Sequence, residues 1–127
     1  MLRIVLIGVA GLVGTLCRYW LSGVVARRYG ETFPVGTLFV NAVGCLLIGS
    51  LFYLLQERYV VGQTARAVVL VGLLGGFTTF SSYGLQTFTL LRDGEFAYAA
   101  LYVVASNLVC LTMVWGGYTL GRLLGGV

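Results

Sequence analysis

Histidine and lysine are absent from this chain, acidic residues number four, and charged residues of every kind make up 9% of it. A soluble domain carries about 25% charged residues, so a fully hydrated surface is excluded. The acidic residues Glu31, Glu57, Asp93 and Glu95 all sit outside the deep parts of the long apolar stretches. A proton-coupled carrier needs an ionisable group inside the membrane. Only Arg18 is available there, and a guanidinium does not release its proton at ordinary pH. No nucleophile–base pair or ligand cluster supports an enzyme. Cys17, Cys45 and Cys110 have neither short paired spacing nor a histidine nearby, which reads as polarisable packing residues rather than metal ligands.

What is abundant is apolar side chain, 59% of the chain. Crossing a bilayer as a helix takes about 20 predominantly apolar residues. Four such stretches are present, Ile4–Ala26, Val35–Leu55, Ala67–Leu91 and Phe96–Leu120. Between them lie Arg27 to Pro34, Gln56 to Ala65 and Arg92 to Glu95, short and rich in polar or turn-forming residues. The fold class expected is an all-α membrane protein with four transmembrane helices, forming one domain over residues 1–127. Arg3 before an apolar run also suits a cleaved signal peptide, but Arg18 and the distributed glycines fit a resident first helix better.

With four spans, both termini and the second loop share one side of the membrane. That side carries Arg3, Arg58, Arg66 and Arg122, against Arg18, Arg27, Arg28 and Arg92 on the other. Four against four gives the positive-inside rule almost nothing to act on. Two readings are open: a weak signal in a short chain, or dual insertion, with oppositely oriented copies pairing about a twofold axis in the membrane plane. The second would be a two-subunit version of the inverted repeat of larger transporters. Four helices provide few walls for an aqueous route, so oligomerisation is expected.

The polar residues inside the spans are neutral donors, a lining suited to an anion. Thr37, Asn41 and Cys45 recur at i, i+4, i+8 on the second span, and Tyr102, Ser106 and Cys110 do so on the fourth. Phe80, Tyr83 and Thr87 follow i, i+3, i+7 on the third. Each stripe alone suits ordinary helix packing; three together suggest a continuous polar track. Gly8, Gly11 and Gly14 on the first span, with Gly44, Gly49, Gly116 and Gly117, are read as close-contact residues. Gly72, Gly75 and Gly76 differ in being followed by Thr78, Thr79, Ser81 and Ser82. Glycines and hydroxyls together support a broken third helix, whose exposed backbone they help to satisfy. One half-helix end presents carbonyls to a cation, the other amides to an anion.

Three ordered motifs resemble the small Fluc (CrcB) fluoride channels over nearly the whole chain. They are Gly11-x-x-Gly14-x-x-x-Arg18-Tyr19, then Pro34-x-Gly36-Thr37-Leu38-x-Val40-Asn41-x-x-Gly44, then Gly75-Gly76-x-Thr78-Thr79-Phe80-Ser81. The resemblance implies an antiparallel, dual-topology homodimer in the cell's inner (plasma) membrane, with two fluoride pores that let the ion leave down its gradient. It also implies a structural sodium ion at the dimer centre, held by backbone carbonyls at positions matched by Gly75 and Thr78. Phe80 matches the first of two pore phenylalanines, and Asn41 a vestibule asparagine. Thr37, Tyr102 and Ser106 match polar-track positions, and Arg18 an arginine on the entrance side. Thr79, Ser82 and Tyr83 complete the candidate set. No nucleic-acid partner is implied.

The sequence departs from the family pattern at Tyr83, where the second phenylalanine is usual, and at Gly84 and Gln86, where Ser and Glu are common. Cys110 stands in place of a track serine and is a weaker donor. The physical requirement stands beside the resemblance: fluoride is small and tightly hydrated, so its water must be replaced by donors free of fixed negative charge. Hydroxyls, amides and the electropositive ring edge of Phe80 meet it, without one site strong enough to trap the ion. Two other functions are weighed, a small proton-coupled multidrug-type exporter and a non-conducting partner subunit of a heterodimer.

Overall fold

The computed structural model describes residues 1–126, and all of their regular structure is helical. Helix α1 spans Leu2–Tyr29, and α2 spans Val35–Phe52 before continuing in wider, π-type turns over Tyr53–Arg58. The short α3, Gln63–Arg66, runs through π-type turns at Ala67–Leu73 into α4, Leu74–Phe77. Helix α5 covers Phe80–Arg92 and α6 covers Phe96–Leu124. Four helical stretches are long and apolar enough to cross a membrane: Leu2–Tyr29, Val35–Arg58, Gln63–Arg92 and Phe96–Gly125.

Each span outlasts the apolar run that predicts it. Helical hydrogen bonding does not stop where hydrophobicity stops, and α1 and α5 bring Arg27, Arg28 and Arg92 into their last turns, where cations offset the negative end of the helix dipole. Gly30, at φ 87°, ends α1, and Gly94, at φ 79°, makes the turn between α5 and α6. Both angles are left-handed, a conformation open to glycine at little cost.

The helices pair alternately along the chain. On α1, a Cβ at Gly14 would strike the Leu73 carbonyl and one at Gly11 would touch that of Gly72; a Cβ at Gly76 would strike Gly11 in return. Positions rise together on both sides, so α1 and the third span run parallel. A second seam joins α2 to α6: Gly49 abuts Val114, Gly117 abuts the Leu46 carbonyl, and Gly121 faces the Ser50 carbonyl at 2.7 Å from a notional Cβ. The Ser50 hydroxyl donates across this seam to Gly117 O at 2.8 Å. In lipid, where apolar side chains gain nothing by leaving solvent, such close backbone approach is a principal source of helix association.

These contacts divide the glycines differently from the sequence. Gly72 and Gly76, set apart as part of a possible break, are seam residues, whereas Gly8, Gly75 and Gly116 have open space where a Cβ would stand. Between α4 and α5 the backbone at Thr78 (φ −89°, ψ 157°) and Thr79 (φ −149°, ψ 114°) is extended. Thr79 caps α5, its Oγ1 accepting from Ser82 N at 3.2 Å, which satisfies one amide at the helix start. Leu90, Ala99 and Tyr102 form the buried core beside this helix, with Phe33, Leu38 and Tyr83 packed against them.

Candidate functional site

The polar stripes of α2, α5 and α6 converge. A cleft of about 800 Å³ is lined at its outer end by Arg27, Glu31 and Asp93 and reaches inward to Thr37 and Gln86. A second cavity of about 310 Å³ is lined by Asn41, Cys45, Thr79, Phe80, Tyr83, Ser106 and Cys110 among others, with no acidic residue. Tyr102, at 0% exposure, packs with Tyr83 beside the inner ends of both.

Gln86 holds the inner end of the larger cleft together. Its Nε2 donates to Thr37 Oγ1 at 2.9 Å, and its Oε1 accepts from the Tyr102 hydroxyl at 2.8 Å. One side chain thus ties α2, α5 and α6. The α5 face that does so carries Tyr83, Gln86 and Leu90, spaced i, i+3, i+7. Thr87, assigned to the polar face from the sequence, instead donates back to Tyr83 O at 2.8 Å. Gln86 is one of the neutral polar residues of the third span and a departure from the family pattern, but it lies outside the stripe Phe80, Tyr83, Thr87; the signal that places it is this alternative register starting at Tyr83.

The hydrogen inventory of these residues is lopsided. Thr37 Oγ1 and Gln86 Oε1 are occupied as acceptors, while the second Gln86 N–H remains to be given. One turn along α6, the Ser106 hydroxyl is buried with no hydrogen-bond partner among the described residues. A buried hydroxyl left unpaired costs about 1–3 kcal/mol, so an orphan here calls for an explanation. Tyr83 bridges onward: its ring lies 5.3 Å from that of Tyr102 and 5.2 Å from that of Phe80, and its hydroxyl accepts from Asn107 Nδ2 at 3.4 Å. Phe80 is 82% exposed.

Asn41 reaches across to the extended residues of the third span. Its Oδ1 accepts from Thr79 N at 2.8 Å and its Nδ2 donates to Thr79 O at 3.0 Å. The carboxamide therefore replaces the helical partners that Thr79 lacks, and one Asn41 N–H is left over in the smaller cavity. Ser82 does not line that cavity; its hydroxyl accepts from Thr79 Oγ1 at 3.0 Å. Arg18 lines neither cavity, and its Nε donates to Gly76 O at 3.2 Å. Thr78 Oγ1 donates to Leu74 O at 3.0 Å, and the carbonyls of Gly75 and Thr78 have no hydrogen-bond partner among the described residues. Of the sequence candidates, Thr37, Asn41, Thr79, Phe80, Tyr83, Tyr102 and Ser106 are brought into one continuous band, with Gly75 and Thr78 at its edge.

Four helices long and apolar enough to cross a membrane, around a cavity lined by amides, hydroxyls and aromatic rings, define a small multi-pass membrane protein. Residues 5–118 match the family model described as CrcB-like protein, Camphor Resistance (CrcB). Similar proteins named fluoride-specific ion channel FluC occur in Opitutus terrae (51% identical over 114 residues, 88% of this chain and 86% of the relative). Others are those of Geobacter metallireducens (46% over 122 residues, 96% and 98%) and Aquifex aeolicus (42% over 118 residues, 93% and 95%). The chain belongs to the CrcB family.

Proposed function

We propose that this protein is a passive fluoride-selective channel of the cell membrane that exports fluoride and lowers its concentration in the cytoplasm. The observation that carries the reading is the orphan Ser106 hydroxyl, buried in a cavity with free N–H and O–H groups and no acid. An anion passing there receives the proton that the protein itself leaves unused. From the larger cleft it meets the remaining Gln86 N–H beside Thr37, then Ser106, then the second Asn41 N–H and the Tyr83 hydroxyl. The ring edges of Tyr83 and Phe80 add a weak attraction for negative charge. Each contact is exchanged for the next, so no single site holds the ion. A proton-coupled exporter is disfavoured by the same geometry, because neutral Gln86 stands at the hub where an acid would be needed.

The functional unit is an antiparallel homodimer with two pores. Its support is a polar strip left bare at membrane depth: Ser81, Asn107 and Gly75 are exposed beside the extended Thr78 and Thr79. Lipid cannot satisfy such groups, whereas a second copy inserted in the opposite sense can, and the balanced arginines permit that insertion. The interruption between α4 and α5 is read as the family's helix break. The unpaired Gly75 and Thr78 carbonyls fit a hard cation such as sodium at the dimer axis, where the ion would supply a positive charge tying two chain breaks together.

The test is fluoride efflux from liposomes holding the purified protein, with chloride as control. Fluoride flux in excess of chloride flux, without an imposed proton gradient, is the expected result. Equal flux of the two anions removes selectivity, and absence of flux favours a non-conducting partner subunit.

A further inference from the structure

Cys45 and Cys110 end two of the polar stripes, one turn beyond Asn41 on α2 and Ser106 on α6. Both are free, half-buried thiols lining the 310 Å³ cavity, and they stand one turn before Gly49 and Val114, which abut across the α2–α6 seam. Their separation is set by backbone and not by a loop, because the Gly49 and Gly117 contacts fix α2 against α6 close by. No group of three or more His, Cys, Asp or Glu exists among the described residues, so the pair offers two sulfur ligands and no others of those types.

We propose that Cys45 and Cys110 form a dithiol site for a divalent, thiophilic cation that accepts two-coordinate binding, and that its occupation closes the ion route beside Ser106. The route is the one read above, so the blocking half of the proposal rests on that reading; the binding half does not. Sulfur ligands select soft metals. Zinc in protein sites asks for four ligands, and two thiols with no histidine or carboxylate do not supply them. Charge narrows the choice further. With the mercuric ion as probe, two S–H bonds break, two Hg–S bonds form and two protons leave: Hg²⁺ + 2 RSH → RS–Hg–SR + 2 H⁺. No atom changes oxidation state, and the product is neutral. A monovalent soft cation bound by two thiolates would leave a net negative charge at membrane depth, where uncompensated charge is costly. A neutral bridge between α2 and α6 places sulfur and metal where the Ser106 hydroxyl would otherwise meet the anion.

The experiment uses the full chain carrying Cys17→Ser, which removes the exposed thiol of α1. Mercuric chloride is titrated in and the remaining thiols are counted with a chromogenic disulfide reagent, while fluoride efflux is followed in parallel. One equivalent of mercury removing two thiols, with at least a tenfold loss of flux that a small dithiol reverses, is the expected result. Adding Cys45→Ser or Cys110→Ser should leave one thiol consumed per mercury, no longer protected from competition by a monothiol. If each thiol in the parent protein takes its own mercury, the dithiol site is overturned. Bridging with undiminished flux overturns the blocking half alone. Absence of fluoride flux before any mercury is added overturns the channel reading, while the thiol count still decides the site.

Discussion

Replacing Ser106 by alanine separates a residue that serves the ion from one that serves the fold. The Ser106 hydroxyl has no partner in the protein, so Ser106→Ala breaks no internal hydrogen bond. It removes an unpaired buried group worth about 1–3 kcal/mol of destabilisation, against a small void. Thermal stability in detergent should therefore hold or rise. Flux should fall. A hydrogen bond to a charged partner contributes about 1.5–3 kcal/mol, and about 1.4 kcal/mol is tenfold. If that contact is lost where the ion is most poorly hydrated, efflux slows by about 10- to 100-fold. Ser106→Cys, of nearly the same size but a weaker donor, should fall between alanine and the parent. A fluoride electrode on proteoliposomes measures the rate, and size exclusion with a melting curve measures the fold. Alanine protein that is less stable yet conducts within about twofold of the parent would refute the assignment and return Ser106 to a packing role.

Asn41→Leu leaves both Thr79 backbone groups without their present partners, which at about 1–3 kcal/mol each should lower the melting temperature markedly; an unchanged melting curve would mean the contacts carry no weight. Gly117→Ala drives a methyl into the Leu46 carbonyl while Gly116→Ala meets open space. The first should cost about 1–3 kcal/mol by overpacking and the second nothing, and equal melting temperatures would deny the α2–α6 seam. Phe80→Ile removes the ring edge from a residue that is already exposed, so fluoride flux should stop while the protein elutes at the same volume as the parent; full flux takes Phe80 out of the route. A topology reporter on the C-terminus should be found on both membrane faces, and a signal from one face alone removes dual insertion.

The four spans were legible because the bilayer demands length and apolarity, both local properties of the chain. Pairing was not. Gly8 and Gly11 look alike on the sequence, and only the crossing of α1 over the third span makes one a contact and leaves the other open. The stripes of α2 and α6 keep their spacing in the structure, where Asn41, Cys45, Ser106 and Cys110 line one cavity, since both helices run without interruption through them. The face of α5 was misjudged by choosing Thr87 over Gln86, because a helix that starts afresh after Thr79 has a rotation that nothing upstream dictates. The roles of Asn41 and Arg18 were invisible for the same reason: each donates to a carbonyl of another helix, and carbonyls have no signature in a sequence.

Alternate pairing, α1 with the third span and α2 with α6, also bears on how the molecule comes into being. Neither half of the chain contains both sides of the seam between α1 and the third span or of that between α2 and α6, although within the first half Gly36 of α2 already meets the Ser22 carbonyl of α1. A ribosome that has delivered the first two helices has built a hairpin whose glycine faces await partners still to be synthesised. Gly49 and Ser50 find Val114 and Gly117 only when synthesis is nearly complete. Assembly is thus a late, membrane-embedded event in which all four helices interlock together. Cutting the chain between Tyr59 and Gly62 should yield two fragments that are each unfinished, yet able to rebuild both seams when made side by side.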